Sequence, residues 1–218
     1  MQIILICATA RSGSTTLQRL INTIPNSNIC GENWGAIINL LEFYANSQKT
    51  SSMLPTDGNR LLKYDEYIEQ SIKPCFYNTF DLLSIKDTVK DLIIKYLSSN
   101  DNDNIIGFKE VRWYEKTHLI NTFIELFPNT KIICHIRNDI ENQSKSGWWK
   151  NDKYAKKHIV GYNYELIQFY NKNKNVCYFS TFENLFNYDE LTKLFTFIGF
   201  TIDKKIYDDI MLNSLESN

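Results

Sequence analysis

Apolar positions along the chain fall into two periods. Residues 3–8 (IILICA) form a short unbroken apolar run, the mark of a strand buried on both faces. Residues 131–136 (KIICHI) repeat that pattern, and 105–109 and 176–180 are further strand candidates. Between these runs the period lengthens. Leu17, Leu20, Ile21 and Ile24 recur at helical spacing before Pro25. Helical spacing also covers about 34–45, 63–72, 85–97, 115–127 and 152–171. Arg137, Asn138 and Asp139 are expected to cap a helix running toward Trp149, and the stretches 185–198 and 203–212 read as closing helices. The Ser-, Thr- and Asn-rich stretch 46–59 reads as a loop, and NDNDN at 100–104 as a turn. Strands alternating with helices predict an α/β fold in three layers, a mainly parallel β-sheet flanked by helices. No repeat or linker divides the chain, so a single domain over 1–218 is expected.

Composition narrows the functional classes. Lys plus Arg is 24 against 25 Asp plus Glu, so a net charge of −1 argues against a nonspecific binder of nucleic-acid polymers or membrane surfaces. At 43 % hydrophobic and 22 % charged, the chain can bury an ordinary core, which excludes global disorder. Cys7, Cys30, Cys75, Cys134 and Cys177 are widely spaced with no CxxC pair. They read as reduced, buried thiols and not as a zinc site or disulfide framework. No apolar run approaches the ~20 residues that cross a bilayer, and the opening MQIILICA lacks a basic flank. A soluble, cytoplasmic protein is therefore expected, with its oligomeric state left open.

The first strand runs into Ala8-Thr9-Ala10-Arg11-Ser12-Gly13-Ser14-Thr15-Thr16 and then a helix. A small-residue loop at a helix N-terminus is an anion site: backbone N–H groups point at the ligand and the dipole favours negative charge. Against the nucleotide-triphosphate pattern G-x-x-x-x-G-K-[ST], Gly13 and Thr15 keep their places, but Ala8 replaces the first Gly and Ser14 the Lys. The cation has moved to Arg11. The loop suits a phosphate-like group without the magnesium triphosphate chemistry of a kinase.

With these residues the chain resembles the sulfotransferases that use 3′-phosphoadenosine-5′-phosphosulfate (PAPS). ARSGSTTLQRLI resembles that family's 5′-phosphosulfate loop. KIICHIRNDIENQSKSGWW resembles its second signature, a buried strand ending in Arg with a Ser about eight residues on. FSTFENLFNYDELTKLFTFIGF and IIGFKEVRW resemble two weaker family segments. The resemblance implies a P-loop NTPase-like sulfotransferase fold and transfer of a sulfuryl group from PAPS to a hydroxyl acceptor, leaving PAP. The acceptor would be a carbohydrate, a small molecule or a peptide tyrosine, and no metal is implied. Arg11 would stabilise the departing phosphate, and Ser12, Gly13, Ser14, Thr15 and Thr16 would bind it. Arg137 would grip the 3′-phosphate with Ser144 or Ser146, Ser146 being favoured because it precedes GWW. Glu32, in a Cys-Gly-Glu segment similar to that of tyrosylprotein sulfotransferases, is the first candidate base, and Glu110 the second. The Arg-Lys-Gly loop of the cytosolic phenol and steroid enzymes has no counterpart in 203–218. His135, inside an apolar strand, reads as a core histidine, and Trp113, Trp148 and Trp149 as core residues or as platforms for adenine or a sugar. The alternatives are a non-catalytic PAP-binding module and, further off, a P-loop kinase.

Overall fold

The computed structural model describes residues 1–51, 56–57, 60–63, 65–66, 69, 80–100 and 102–212. Strand β1 (Gln2–Ala8) is the centre of a five-stranded sheet. Its neighbours are β5 (Ile105–Glu110) and β6 (Lys131–Ile136), with β2 (Ser27–Cys30) outside β5 and β7 (Cys177–Thr181) outside β6. All four pairings are parallel, with Ile4 opposite Gly107 and Cys7 opposite Cys134. Gly107 is required there, since a Cβ would lie 1.8 Å from the Ile4 carbonyl oxygen.

Alternation along β1 divides the core in two. Leu5 and Cys7 face one side with Phe108, Trp113 and Phe123. That side is covered by α2 (Ala36–Ser51), α3 (Leu82–Leu97) and α4 (His118–Leu126). Ile4 and Ile6 face the other with Leu17, Trp149 and Phe195, under α1 (Ser14–Ile21), α7 (Tyr188–Ile198) and α8 (Lys204–Leu212). Both faces of the sheet are thus apolar, which is why its strands read as unbroken hydrophobic runs. The remaining elements are α5 (Ile140–Ser144), α6 (Ala155–Lys172), two 3₁₀ turns (Gly147–Asn151 and Glu183–Phe186) and a minimal antiparallel pair, β3 (Thr56–Asp57) with β4 (Arg60–Leu61).

The three-layer parallel α/β expectation holds, with three local corrections. Strand β2 was not anticipated. Helix α2 continues to Ser51, through part of the expected 46–59 loop. The helix after β6 stops at Ser144, and Gly147, with φ 57, turns the chain into a 3₁₀ segment before Trp149. The helix expected at 63–72 falls largely outside the described residues, and Cys75 wholly so. Cys7, Cys134 and Cys177 are buried free thiols, and Cys30 is a half-buried one. Burial pushes the Cys7 thiol well above its ordinary pKa, with nearby Cys177 and Glu110 adding to the effect. Among the described residues no helix is long and apolar enough to cross a membrane.

Candidate active site

The carboxyl edge of the sheet opens into a cleft of about 1210 Å³. Its floor is the loop between β1 and α1. The carbonyls of this loop are occupied from beneath: Thr9 O accepts from Ser12 Oγ at 2.7 Å, and Ala10 O from Gln143 Nε2 at 2.7 Å and Trp149 Nε1 at 3.1 Å. Ser12 O lies 2.8 Å from His135 Nε2. With these acceptors engaged on the core side, the N-terminus of α1, with its orphan N–H groups and positive dipole end, is left to the cleft. Arg11 (φ 63) and Gly13 (φ 80) both adopt left-handed backbone, which tightens the turn. At Gly13 a Cβ would lie 2.3 Å from the Phe182 ring, so only Gly fits.

Two arginines face this floor. Arg11 Nε donates to Ser146 Oγ at 3.0 Å, and its aliphatic stem lies against Gly147, where a Cβ would come within 2.9 Å of Arg11 Cδ. Arg137 leaves the end of β6 and stacks over Phe182 at 4.5 Å, with Asp139 at 3.8 Å. Its Nε is buried without a hydrogen-bond partner among the described residues. A buried guanidinium N–H with no acceptor fits an anion arriving from the cleft.

The opposite wall is an ion-pair cluster. Glu32 sits between Lys109 Nζ at 2.6 Å and Arg112 Nη1 at 3.0 Å. Arg112 Nη1 also meets Glu110 Oε1 at 2.8 Å, and its guanidinium lies 4.6 Å from the centre of the Trp34 ring. Partial burial would raise the Glu32 pKa, but the hydrogen bond and charge of Lys109, with Arg112, outweigh it and hold the carboxyl below its ordinary value. Trp34 is 84 % exposed and Trp148 55 % exposed, and both line the cleft. Tyr114 and Tyr162 stack at 4.1 Å on its inner side.

Of the residues singled out in the sequence, the cleft brings together Arg11, Gly13, Ser14, Thr15, Thr16, Glu32, Arg137 and Ser146. Three of the expected binding or catalytic residues do not join them. Ser12 turns its hydroxyl under the loop to Thr9 O. Ser144 is buried and closes onto Glu141 O at 2.9 Å. Glu110 is fully enclosed, and its oxygens are taken up by backbone N–H groups and Arg112, so it is no candidate base. His135 is a core histidine, bonded on both ring nitrogens. Trp113 and Trp149 are core residues, while Trp148 stacks 3.8 Å from Trp149 and stays at the lip. Sequence reasoning missed Phe182, Tyr114 and Tyr162. Phe182 lies in the FSTFENLF segment, which resembles a family segment and follows a strand, but neither signal singles out this Phe.

This is a parallel α/β domain with its cleft at the carboxyl ends of the strands, where such folds bind ligands. The fold is that of sulfotransferase domains. The sulfotransferase domain of the Synechococcus PCC 7002 olefin synthase superimposes with a TM-score of 0.58 at 15 % identity, over 100 % of this chain and 78 % of that one. A sulfotransferase from Alicyclobacillus acidocaldarius gives 0.52 at 12 % identity, over 100 % and 87 %. The sulfotransferase domain of the curacin biosynthetic pathway gives 0.51 at 15 % identity, over 94 % and 76 %. No family model and no curated protein matches the chain.

Proposed function

We propose that the chain is a PAPS-dependent sulfotransferase acting on a hydroxyl acceptor. The observation that carries this reading is the convergence of Arg11, the α1 N-terminus, Arg137 and Ser146 on one cleft in a sulfotransferase fold. When bound, PAPS supplies an activated sulfuryl group, released by cleavage of the bond between sulfur and the bridging oxygen of the 5′-phosphate. The loop amides and the hydroxyls of Ser14, Thr15 and Thr16 hold that phosphate. Arg11 stabilises the negative charge left on its oxygen, and Arg137 with Ser146 anchors the 3′-phosphate. Glu32 takes the proton of the acceptor hydroxyl as that oxygen bonds to sulfur. Lys109 and Arg112 keep Glu32 ionised and therefore ready to accept the proton. The exposed faces of Trp34 and Trp148 offer flat platforms for a carbohydrate, a small molecule or a peptide tyrosine.

Titration calorimetry with PAP and with ATP–Mg²⁺ tests the donor. PAP is expected to bind, and Arg137→Ala to weaken it about 10–100-fold, the worth of charge-assisted hydrogen bonds. Binding of ATP–Mg²⁺ alone would overturn the reading. Labelled sulfate should pass from PAPS to members of an acceptor panel, and Glu32→Gln should slow that transfer about 10²–10⁴-fold. Transfer at full rate in Glu32→Gln would remove Glu32 as the base. The ion pairing of Glu32 favours one rival, a PAP-binding module without catalysis, and PAP binding with no transfer to any acceptor would establish it.

A further inference from the structure

Glu110 carries more than its burial explains. It closes β5, and its side chain is 0 % exposed. Oε2 accepts the amides of Asn33 at 3.3 Å and Gly35 at 3.2 Å. Oε1 accepts the amides of Val111 at 2.8 Å and Arg112 at 3.2 Å, together with Arg112 Nη1 at 2.8 Å. One carboxylate thus gathers N–H donors from two segments that lie 75 or more residues apart. An ionised carboxylate suits this role because it is acceptor-only with about four lone-pair sites.

The first of those segments is the turn between β2 and α2. Trp34 (φ 55) and Gly35 (φ 79) are both left-handed there, a costly backbone for Trp that the surroundings must impose. Asn33 Oδ1 accepts the amide of Ile37 and so starts α2. Glu32, immediately before this turn, is held at the cleft by Lys109 and Arg112, and Arg112 is itself held by Glu110. We propose that Glu110 is the positioning residue for Glu32 and Arg112: its enclosed carboxylate locks the turn at 33–35 to the end of β5 and so sets the acceptor wall of the cleft. The inference deepens the sulfotransferase reading and rests on it for the role of Glu32. Glu110 itself is enclosed and does not line the cleft.

Glu110→Gln keeps the shape but turns an amide NH₂ toward N–H groups. Three measurements on the full chain test the proposal. In the wild type, the Asn33 and Gly35 amides should exchange at least about 100-fold more slowly than unbonded loop amides. In Glu110→Gln that protection should vanish, and the Glu32 titration midpoint, followed by carboxyl-carbon NMR, should rise toward the ordinary value of about 4.3. The kcat of sulfate transfer should fall about 100-fold, as expected for a misplaced reacting group, with PAP affinity held within about twofold. A purely structural Glu110 would leave the Glu32 midpoint and the split between kcat and PAP binding unmoved, and that result overturns the proposal. Unprotected Asn33 and Gly35 amides in the wild type overturn it without any variant, including the case in which Glu110→Gln does not fold. Lost protection and a raised Glu32 midpoint in a chain that neither binds PAP nor transfers sulfate would uphold the positioning and overturn the sulfotransferase reading alone.

Discussion

His135 makes stability depend on pH in a way that a single substitution can isolate. The residue lies in β6 at 0 % exposure, with Nε2 2.8 Å from the Ser12 carbonyl and Nδ1 3.2 Å from the Ser180 hydroxyl. A carbonyl oxygen only accepts, which assigns the proton to Nε2 and leaves Nδ1 accepting from Ser180. A second proton would place a charge in a dry core and break the Ser180 bond. Burial lowers the pKa from 6.5 to about 4, against a smaller upward pull from the Ser12 bond and from Glu183. Between those values the unfolded chain binds a proton that the native chain refuses, so stability rises with pH. The contribution is complete above pH 6.5 and is lost as pH falls toward 4. In full it is worth about 3 kcal/mol, at up to about 1.4 kcal/mol per pH unit, and about 2 kcal/mol of it goes between pH 7.5 and 5. Urea unfolding at pH 7.5, 6 and 5, compared between wild type and His135→Gln, reads this directly. Gln retains a donor for Ser12 O but has nothing to titrate. The variant should be less stable at pH 7.5, and its deficit should shrink by about 2 kcal/mol at pH 5. Stability curves that stay parallel down to pH 5 would refute the reasoning.

Two further predictions concern the loop and its clamp. Ser146→Ala removes the Arg11 Nε acceptor, and initial rates at saturating PAPS should fall about 10-fold or more, the scale of one charge-assisted hydrogen bond; an unchanged rate would show that Arg11 does not need this partner. Gly13→Ala drives a methyl into the Phe182 ring and strains a backbone at φ 80, so PAP affinity should fall at least about 10-fold. Adding Phe182→Leu should restore part of that affinity, because it removes the clash and leaves the strain, and calorimetry on the single and double variants would separate the two.

The layered sheet was legible because its inner strands are apolar on both faces: IILICA and KIICHI announce themselves. Strand β2 did not, since SNIC has only Ile29 buried and lies at the sheet's edge. The tail of α2 reads as loop because Asn46, Ser47 and Thr50 carry little helix preference, yet Ile37, Ile38, Leu41 and Tyr44 pack the helix onto the core. Arg11 and Arg137 could be found from their places at strand ends. The Glu32–Lys109 pair spans 77 residues, and no local pattern encodes it. The fate of Glu110 was hidden for a related reason: apart from Arg112 its partners are backbone amides, which every residue type but proline supplies.

The central place of β1 has a consequence for how the chain is made. Gln2 pairs with Ile105, and Ile4 with Lys131, so β1 meets neither neighbour until about 100 further residues have emerged. At about 5–20 residues per second, that wait lasts roughly 5–20 s. For that interval one of the chain's most apolar, β-prone segments has two unpaired edges, the profile of a segment that seeks other chains. Loop closure over such a span also places this sheet among the slower-forming topologies. The loop that follows β1 takes its shape from His135, Gln143 and Trp149, so this floor of the cleft cannot form until residue 149 has been made, long after the loop itself has emerged.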